Sequence, residues 1–253
     1  MTDQLLYAYE RDYLQAMGRE LRVNRHRLAK LRQHGLHVVL SQPSAASRNR
    51  YRALVNHMMK WGEEQGIVTA GFRPLKLERS LGPRTRRMTH DEETDLLSVM
   101  DDTLLRETFI AALDTGLRKS TLLALTFRMW DGETLRIPAH LTKQRQVQVI
   151  PLTKRLNAII KHRWVGLQSG DAPIFPIPRA RLDLAWAAAK HEAGVKDLHW
   201  HDLRGEFASR LDEAGVPVSV TSKLLGHSSL AMTQIYLRPR VEQFRDAIDK
   251  LGV

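Results

Sequence analysis

Residues 224–237 read LLGHSSLAMTQIYL, a stretch in which one helical pattern ends and another begins. Gly226 ends the first pattern, His227 follows it at once, and Tyr236 comes nine residues later in the second. A glycine at such a position is typical of a helix C-terminus. A tyrosine with apolar neighbours is usually a core or interface residue, so this stretch by itself predicts two helices joined by a turn and no chemistry.

Cationic side chains stand at three earlier points of the chain. Arg118 follows the helix-ending Gly116, and an arginine at a helix start suits an anion. Lys143 lies near a turn that leads into a strand. His201 and Arg204 are three residues apart, on one face if the segment is helical, where two cations repel each other unless they surround an anion. Each feature alone is typical of a solvated surface.

His199 and His201 could instead bind a metal ion. The chain contains no cysteine, and no alternating strand pattern aligns the two rings, so the sequence favours a protein without a metal site or cofactor. The absence of cysteine also excludes disulfides, thiolate zinc sites and cysteine nucleophiles, and it fits a reducing cytoplasm.

The charge of the chain indicates a polyanionic partner. The 253 residues carry a formal net charge of +11, and residues 1–80 hold 14 Lys and Arg against 7 Asp and Glu. Lysine and arginine gain binding free energy by releasing counterions from phosphates, so nucleic acid is the first candidate; a basic protein without such a partner is the alternative. The first residues lack a signal-peptide pattern, and no apolar run approaches the roughly 20 residues that span a bilayer, so we expect a cytoplasmic protein.

The first part of the chain is predicted to be helical. Three stretches have helical apolar spacing; the second is interrupted near Gly35, and Ser44 or Ser47 can cap the third. Residues 73–87 combine proline, glycine and six basic residues, which is typical of a linker that is solvated or contacts phosphates. The predicted organisation is a helical domain at 1–72, a basic linker at 73–87 and a second domain at 88–253.

The second part mixes helices with a small sheet. Thr89 and Glu92 form a capping-box pattern at the start of a helix. Asp131 and Gly132 form a hairpin-turn signal between predicted strands at 129–130 and 135–137, and the alternation at 146–150 predicts a further strand. Helical patterns dominate after Pro151. The predicted fold class is therefore mainly α, with an antiparallel sheet of two or three strands inside the second domain.

Taken in order, the motifs resemble the signature of the tyrosine recombinase (phage integrase) family. They are Thr-Gly-Leu-Arg-x-Ser at 115–120, His-x-Leu-Arg at 201–204, and Leu-Gly-His-Ser-Ser followed by Thr-x-x-Tyr within 225–236. The resemblance extends over the layout of the chain and is most specific from 113 to 237. It implies a helical core-binding domain followed by a mixed, mostly helical catalytic domain.

The resemblance assigns the proton and bond transfers to three residues. Tyr236 matches the nucleophile that attacks a DNA phosphodiester, and it needs help because the ordinary pKa of tyrosine is near 10. His201 is the candidate base and Lys143 the candidate acid for the departing 5′ oxygen. The resulting 3′-phosphotyrosyl bond conserves the energy of the cleaved bond, so rejoining requires no nucleotide.

The resemblance assigns charge stabilisation to three further residues. Arg118 and Arg204 match the arginines that face the non-bridging oxygens, where charge develops in the transition state. His227 matches a second histidine that holds a phosphate oxygen. This cationic cluster replaces a metal, so none is expected.

Two positions depart from the family pattern. Thr121 stands where the family usually has an acid that supports the first arginine, and Gly205-Glu206 stands where the family often has His-Thr. A terminal apolar stripe, which includes Phe244 and Ile248, predicts a helix that docks on a neighbouring protomer or on its own domain. Phosphate contacts are expected from five arginines: Arg48, Arg50, Arg84, Arg86 and Arg87.

The expected function is site-specific DNA recombination, by integration, excision or inversion, with a homotetramer acting on double-stranded DNA. Two alternatives stay open. A type IB topoisomerase uses a similar set of cations, and a non-catalytic DNA-binding protein could keep the same fold. We expect the protein to associate with the nucleoid when it is bound to DNA.

Overall fold

The structure is a computed structural model, and it describes residues 3–14, 21–41, 44–69, 71–79, 84, 86–166, 169–227, 229–235, 237 and 248–249. The chain forms two compact units, Met1–Gly82 and Pro83–Val253. Within the described ranges, no helix is both long and apolar enough to cross a membrane.

The first unit is helical. Its elements are α1 (Asp3–Ala8), a π-helical turn (Tyr9–Leu14), α2 (Leu21–Leu40) and α3 (Ala45–Glu64). As predicted, α2 is interrupted at Gly35, whose φ of 72° is left-handed. The Ser44 side chain caps α3 by accepting a hydrogen bond from the Ser47 backbone N–H, so Ser44 is the cap. The helices bury one apolar cluster, which includes Leu5, Tyr9, Leu28, Leu54 and Met58.

The segment 71–79 is extended and lies along α3. The Asn56 side chain donates to the Leu75 carbonyl (3.0 Å) and accepts from the Leu75 N–H (2.7 Å). Asn49 makes the same pair of hydrogen bonds with the backbone of Glu78 (2.7 and 2.8 Å). Side-chain amides thus satisfy backbone groups that an extended segment would otherwise leave to water. This part of the expected linker is therefore attached to α3 of the first unit, while most of its side chains are exposed.

The second unit holds the remaining described α-helices and both strands. They are α4 (His90–Val99), α5 (Thr103–Thr115), α6 (Lys119–Leu122), β1 (Thr134–Ile137), β2 (Gln148–Pro151), α7 (Lys154–Trp164), α8 (Arg179–Glu192), α9 (Asp202–Glu213), α10 (Val218–Leu225) and α11 (Leu230–Gln234). The predicted capping box is present, because the Thr89 side chain accepts from the Glu92 N–H and the Glu92 side chain accepts from the Thr89 N–H.

The sheet has two strands in the described part of the chain. β1 and β2 are antiparallel, with Leu135 opposite Ile150. Asp131 closes the turn before β1 by accepting a hydrogen bond from the Thr134 N–H (2.7 Å). Trp130 forms only an isolated bridge with Leu135, so the predicted stretch before this turn is not a strand.

A chain of ion pairs joins four helices of the second unit. Arg210 of α9 bridges Glu206 of the same helix (3.0 Å) and Glu93 of α4 (2.7 Å). Arg155 of α7 connects Glu93 (3.3 Å) to Asp114 of α5 (2.5 Å). All three carboxylates are buried. Because removing one partner would leave a buried charge uncompensated, we expect these pairs to constrain how the four helices pack.

Candidate active site

Arg204 lies at the centre of the site and is 2% exposed. Its Nη1 donates to the carbonyl of Gly116 and its Nη2 to the carbonyl of Leu225, both at 2.6 Å. These carbonyls stand at the C-terminal ends of α5 and α10, where helix dipoles favour a positive charge. The fold therefore places one guanidinium where two helices end.

Gly116 allows this convergence. It caps α5 with a left-handed backbone (φ 60°, ψ 16°), which favours glycine. A Cβ atom at this position would lie 2.4 Å from Cδ1 of Phe207 and 2.9 Å from Cδ2 of Leu225. The glycine thus lets the end of α5 approach α9 and α10 closely enough for its carbonyl to reach Arg204.

His227 is braced between Arg204 and α11. Its Nε2 is 2.9 Å from Nη2 of Arg204, and its Nδ1 is 2.8 Å from Oγ1 of Thr233. Arginine carries only donors, so Nε2 is the acceptor in the first contact and the ring proton of the neutral imidazole lies on Nδ1. Nδ1–H then donates to the Thr233 hydroxyl oxygen.

The pKa of His227 supports the neutral form. Burial, followed by the positive charges of Arg204 and Arg118, lowers this pKa from 6.5 to about 4. Both arginines are therefore within electrostatic range of one imidazole. Arg118 precedes α6 as its N-cap residue in extended conformation and is half-buried. The structure brings together Arg118, Arg204 and His227, although Arg118 precedes the other two by more than eighty residues in the sequence.

His201 shares a cavity with Arg204. The cavity is open, has a volume of about 320 Å³, and is also lined by Leu117, Lys119, Arg179, His199 and Trp200. His201 is exposed and is the N-cap residue of α9. The cavity is rich in cationic side chains, as a site for a phosphodiester requires.

Asp202 holds the turn that carries His201, and sequence reasoning missed it. Its carboxylate is buried, accepts the His199 backbone N–H (2.9 Å) and pairs with Arg84 (3.1 Å). An acidic residue in the first turn of a helix is common, so nothing in its spacing marked this role.

Lys143 lies in the connection between β1 and β2 and is exposed. The Thr142 hydroxyl closes the turn by bonding to both the N–H (3.1 Å) and the carbonyl (2.8 Å) of Gln146. Thr142 and Gln144 line a second open cavity, of about 390 Å³, together with His227. The turn that carries Lys143 therefore borders the same cavity as His227.

The two positions that depart from the family pattern make contacts that hold the second unit together. Thr121 is buried, and its hydroxyl donates to the Leu141 carbonyl (3.2 Å), which ties α6 to the β1–β2 connection. Glu206 is 1% exposed and belongs to the ion-pair chain. Burial alone would raise the pKa of Glu206, but hydrogen bonds from Arg87 and Arg210 outweigh it and hold that pKa below its usual value.

Four of the arginines expected to contact DNA are engaged within their own unit. They pair with carboxylates as follows: Arg48 with Glu78, Arg84 with Asp202, Arg86 with Glu92, and Arg87 with Glu206 and Glu213. These ion pairs favour a structural role over the phosphate contacts expected from the sequence. Arg50 is exposed on α3. The pKa of Arg27 is lowered, first by the burial of Arg27 and second by the positive charge of Arg50.

Tyr236, the candidate nucleophile, lies outside the described residues, as does most of the stripe expected to form a terminal oligomerisation helix. The structure describes α11 and Ile235, which directly precede Tyr236 in the sequence. Thr233, which contacts His227, is a further site residue that sequence reasoning missed; the Thr-x-x-Tyr spacing drew attention to the tyrosine alone.

Comparison with known proteins identifies the family. The model of the phage integrase family matches residues 86–243, which is more than half of the chain. A tyrosine recombinase of Thermosipho africanus is 28% identical over 225 residues, covering 83% of this chain and 77% of the relative. Tyrosine recombinase XerA of Thermococcus kodakarensis is 33% identical, covering 71% of this chain and 66% of the relative. The chain belongs to the phage integrase family of tyrosine recombinases, as its motifs predicted.

Solved structures agree on the fold. A lambda integrase dimer bound to a COC′ core site superposes with a TM-score of 0.75 at 18% identity, covering 93% of this chain and 94% of the other. A lambda integrase tetramer bound to a Holliday junction gives 0.72 at 18% identity, covering 94% and 78%. The predicted fold class, mainly helical with a small antiparallel sheet, is confirmed.

Proposed function

We propose that the chain is a site-specific DNA recombinase that cleaves and rejoins DNA strands through a 3′-phosphotyrosyl bond to Tyr236. The convergence of Arg118, Arg204 and His227 in a chain of the phage integrase family is the observation that supports this most strongly. Guanidinium groups at one point suit the charge that builds on a phosphodiester during displacement.

In the proposed reaction the Tyr236 oxygen attacks phosphorus and the bond to the 5′ oxygen breaks. His201 accepts the phenol proton, and Lys143 donates a proton to the leaving 5′ oxygen. Arg118 and Arg204 stabilise the non-bridging oxygens. Rejoining is the reverse sequence with a new 5′ hydroxyl, so the bond energy is conserved and no nucleotide is consumed.

The proposed partner is double-stranded DNA with paired recombination sites, and the proposed active form is a homotetramer. The net charge of +11 supports a polyanionic partner. The lambda integrase dimer and tetramer bound to DNA support assembly on the substrate. Location in the cytoplasm, with association to the nucleoid, belongs to the same proposal.

A selection followed by a recombination assay tests the function. The full chain is incubated with a library of nicked duplexes of random sequence, and covalently captured duplexes are sequenced to give the cleaved site. Two copies of that site are then placed on a supercoiled plasmid. We expect deletion or inversion of the intervening DNA, according to the relative orientation of the sites, with no metal or nucleotide added.

The same plasmids distinguish the alternatives. Relaxation of a plasmid without sites, at a rate equal to that of the two-site plasmid, would identify a topoisomerase. Tight duplex binding without any covalent capture would identify a non-catalytic DNA-binding protein. Either result would overturn the proposed recombinase function.

A further inference from the structure

Thr233 is a buried threonine that contacts His227 from the side opposite Arg204. Its side chain is completely buried in α11, and its Oγ1 is 2.8 Å from Nδ1 of His227. The other ring nitrogen of His227 is 2.9 Å from Nη2 of Arg204. One line of hydrogen bonds therefore runs from α11, through the imidazole, to the guanidinium at the centre of the site.

Arg204 determines which atoms donate and which accept along this line of hydrogen bonds. Arg204 can only donate, so Nε2 of His227 must accept, and Nδ1 must carry the proton. Thr233 is then the group that receives this proton in a hydrogen bond. A hydroxyl is suited to that position because it can accept, whereas a methyl group of similar size cannot.

We propose that Thr233 is a positioning residue for strand cleavage: its hydroxyl oxygen accepts from Nδ1–H of His227 and so holds the ring in the orientation in which Nε2 accepts from Arg204. The same contact attaches α11, which leads to Tyr236 in the sequence, to the catalytic arginine. This inference rests on the proposed function and extends it by one residue.

Loss of the hydroxyl has a defined chemical consequence. Without an acceptor at Nδ1, the buried N–H loses its hydrogen bond, and the ring gains by turning toward another acceptor. A ring that turns takes Nε2 away from the N–H of Arg204, the contact that otherwise fixes the proton on Nδ1, so the Nε2–H tautomer becomes accessible. Arg204 then loses one of the contacts that hold it, and α11 loses this hydrogen bond to the site.

The tautomer is measured directly by NMR on the full chain labelled with ¹⁵N-histidine. The Nδ1 and Nε2 shifts of His227 should show the Nδ1–H form in the wild type and in Thr233→Ser, which keeps the hydroxyl. They should show a shift toward the Nε2–H form in Thr233→Val. The matched control is Thr221→Val, because Thr221 is also completely buried and its hydroxyl has no hydrogen-bond partner among the described residues.

Cleavage is measured as the rate of covalent capture of a nicked duplex from the selection above. We expect Thr233→Val to be slower by about tenfold or more, since small misplacements of catalytic groups cost up to about 100-fold. Thr233→Ser should restore the rate to within about threefold of the wild type, and duplex affinity should stay unchanged in both, which separates positioning from folding or DNA binding.

Two results would overturn the inference. One is an Nδ1–H tautomer that persists in Thr233→Val, and the other is capture by Thr233→Val at the rate of Thr221→Val. If the wild type captures no duplex at all, the proposed function fails, and the NMR measurement still decides whether Thr233 holds His227 against Arg204.

Discussion

Arg204 illustrates how a single side chain can depend on the ends of several helices. Its guanidinium fork matches two backbone carbonyls and the His227 ring at once. A lysine would keep the charge but could not reproduce this planar set of donors. The role of Arg204 therefore lies in its geometry as much as in its charge.

We expect Arg204→Lys to slow covalent capture of a nicked duplex by about 10²–10³-fold, the usual cost of removing one preorganised donor to a developing charge. The control is Arg136→Lys, which changes an exposed arginine on β1. Capture at the wild-type rate by Arg204→Lys would show that the fork has no catalytic part.

The titration of His227 is a second prediction at this scale. Its pKa is lowered to about 4 by burial and by Arg204 and Arg118, below the ordinary value of 6.5. Because the folded pKa is the lower one, the stability from neutral His227 is fully present above pH 6.5 and is lost as the pH falls toward 4. NMR should therefore show a neutral ring at pH 5.5; a midpoint near 6.5 would contradict the burial and the proximity of the two cations.

The sequence predicted some site residues and missed others for a physical reason. Arg118, Arg204 and His227 belong to motifs of residue type and spacing, and such motifs are visible in one dimension. Asp202 and Thr233 contact the site through side chains whose partners are set by tertiary packing. A first-turn aspartate is ordinary in sequence, and the Thr-x-x-Tyr motif includes Thr233 without indicating its contact with His227, so no pattern marked either role.

At the scale of elements, features formed by residues close in sequence could be predicted, whereas contacts between distant residues could not. The capping box at Thr89, the turn at Asp131 and the break at Gly35 are formed by residues close in sequence, and all three are in the structure. The segment 71–79 instead receives its hydrogen bonds from Asn49 and Asn56 on α3. Its composition could not reveal partners about twenty to thirty residues away.

Gly116 gives a prediction about the junction of α5, α9 and α10. Gly116→Ala must place a Cβ 2.4 Å from the Phe207 ring and also adopt a left-handed backbone. Gly194→Ala has a similar φ of 67°, but its Cβ would meet no atom of the described residues within 4 Å, so it isolates the backbone cost of about 1–2 kcal/mol. We expect Gly116→Ala to lower the free energy of unfolding by a further ~1–3 kcal/mol in urea titrations. Equal losses in the two variants would show that the junction is loosely packed.

At the scale of the whole molecule, the second unit depends on charges buried between its helices. Glu206 receives hydrogen bonds from Arg87 and Arg210, so its loss leaves two cations without this partner at a buried position. We expect Glu206→Gln to lower the free energy of unfolding by about 3 kcal/mol at pH 7. The lowered pKa of Glu206 means that this contribution is lost as the pH falls below the ordinary value of about 4.3.

Asp171→Asn is the matched control, because it breaks an ion pair with Arg128 that is exposed at both ends. Its free energy of unfolding should equal that of the wild type within error. If Glu206→Gln behaves in the same way, the ion pairs between the helices do not determine their packing.

The central claim is that cations from distant parts of the chain meet around one phosphate that Tyr236 attacks. Mass spectrometry of the peptide released from a captured nicked duplex tests it most directly. We predict a single phosphotyrosyl link at Tyr236 to the 3′ end of the cleaved strand, absent in Tyr236→Phe. A link at any other residue, or an adduct that persists in Tyr236→Phe, would contradict the account.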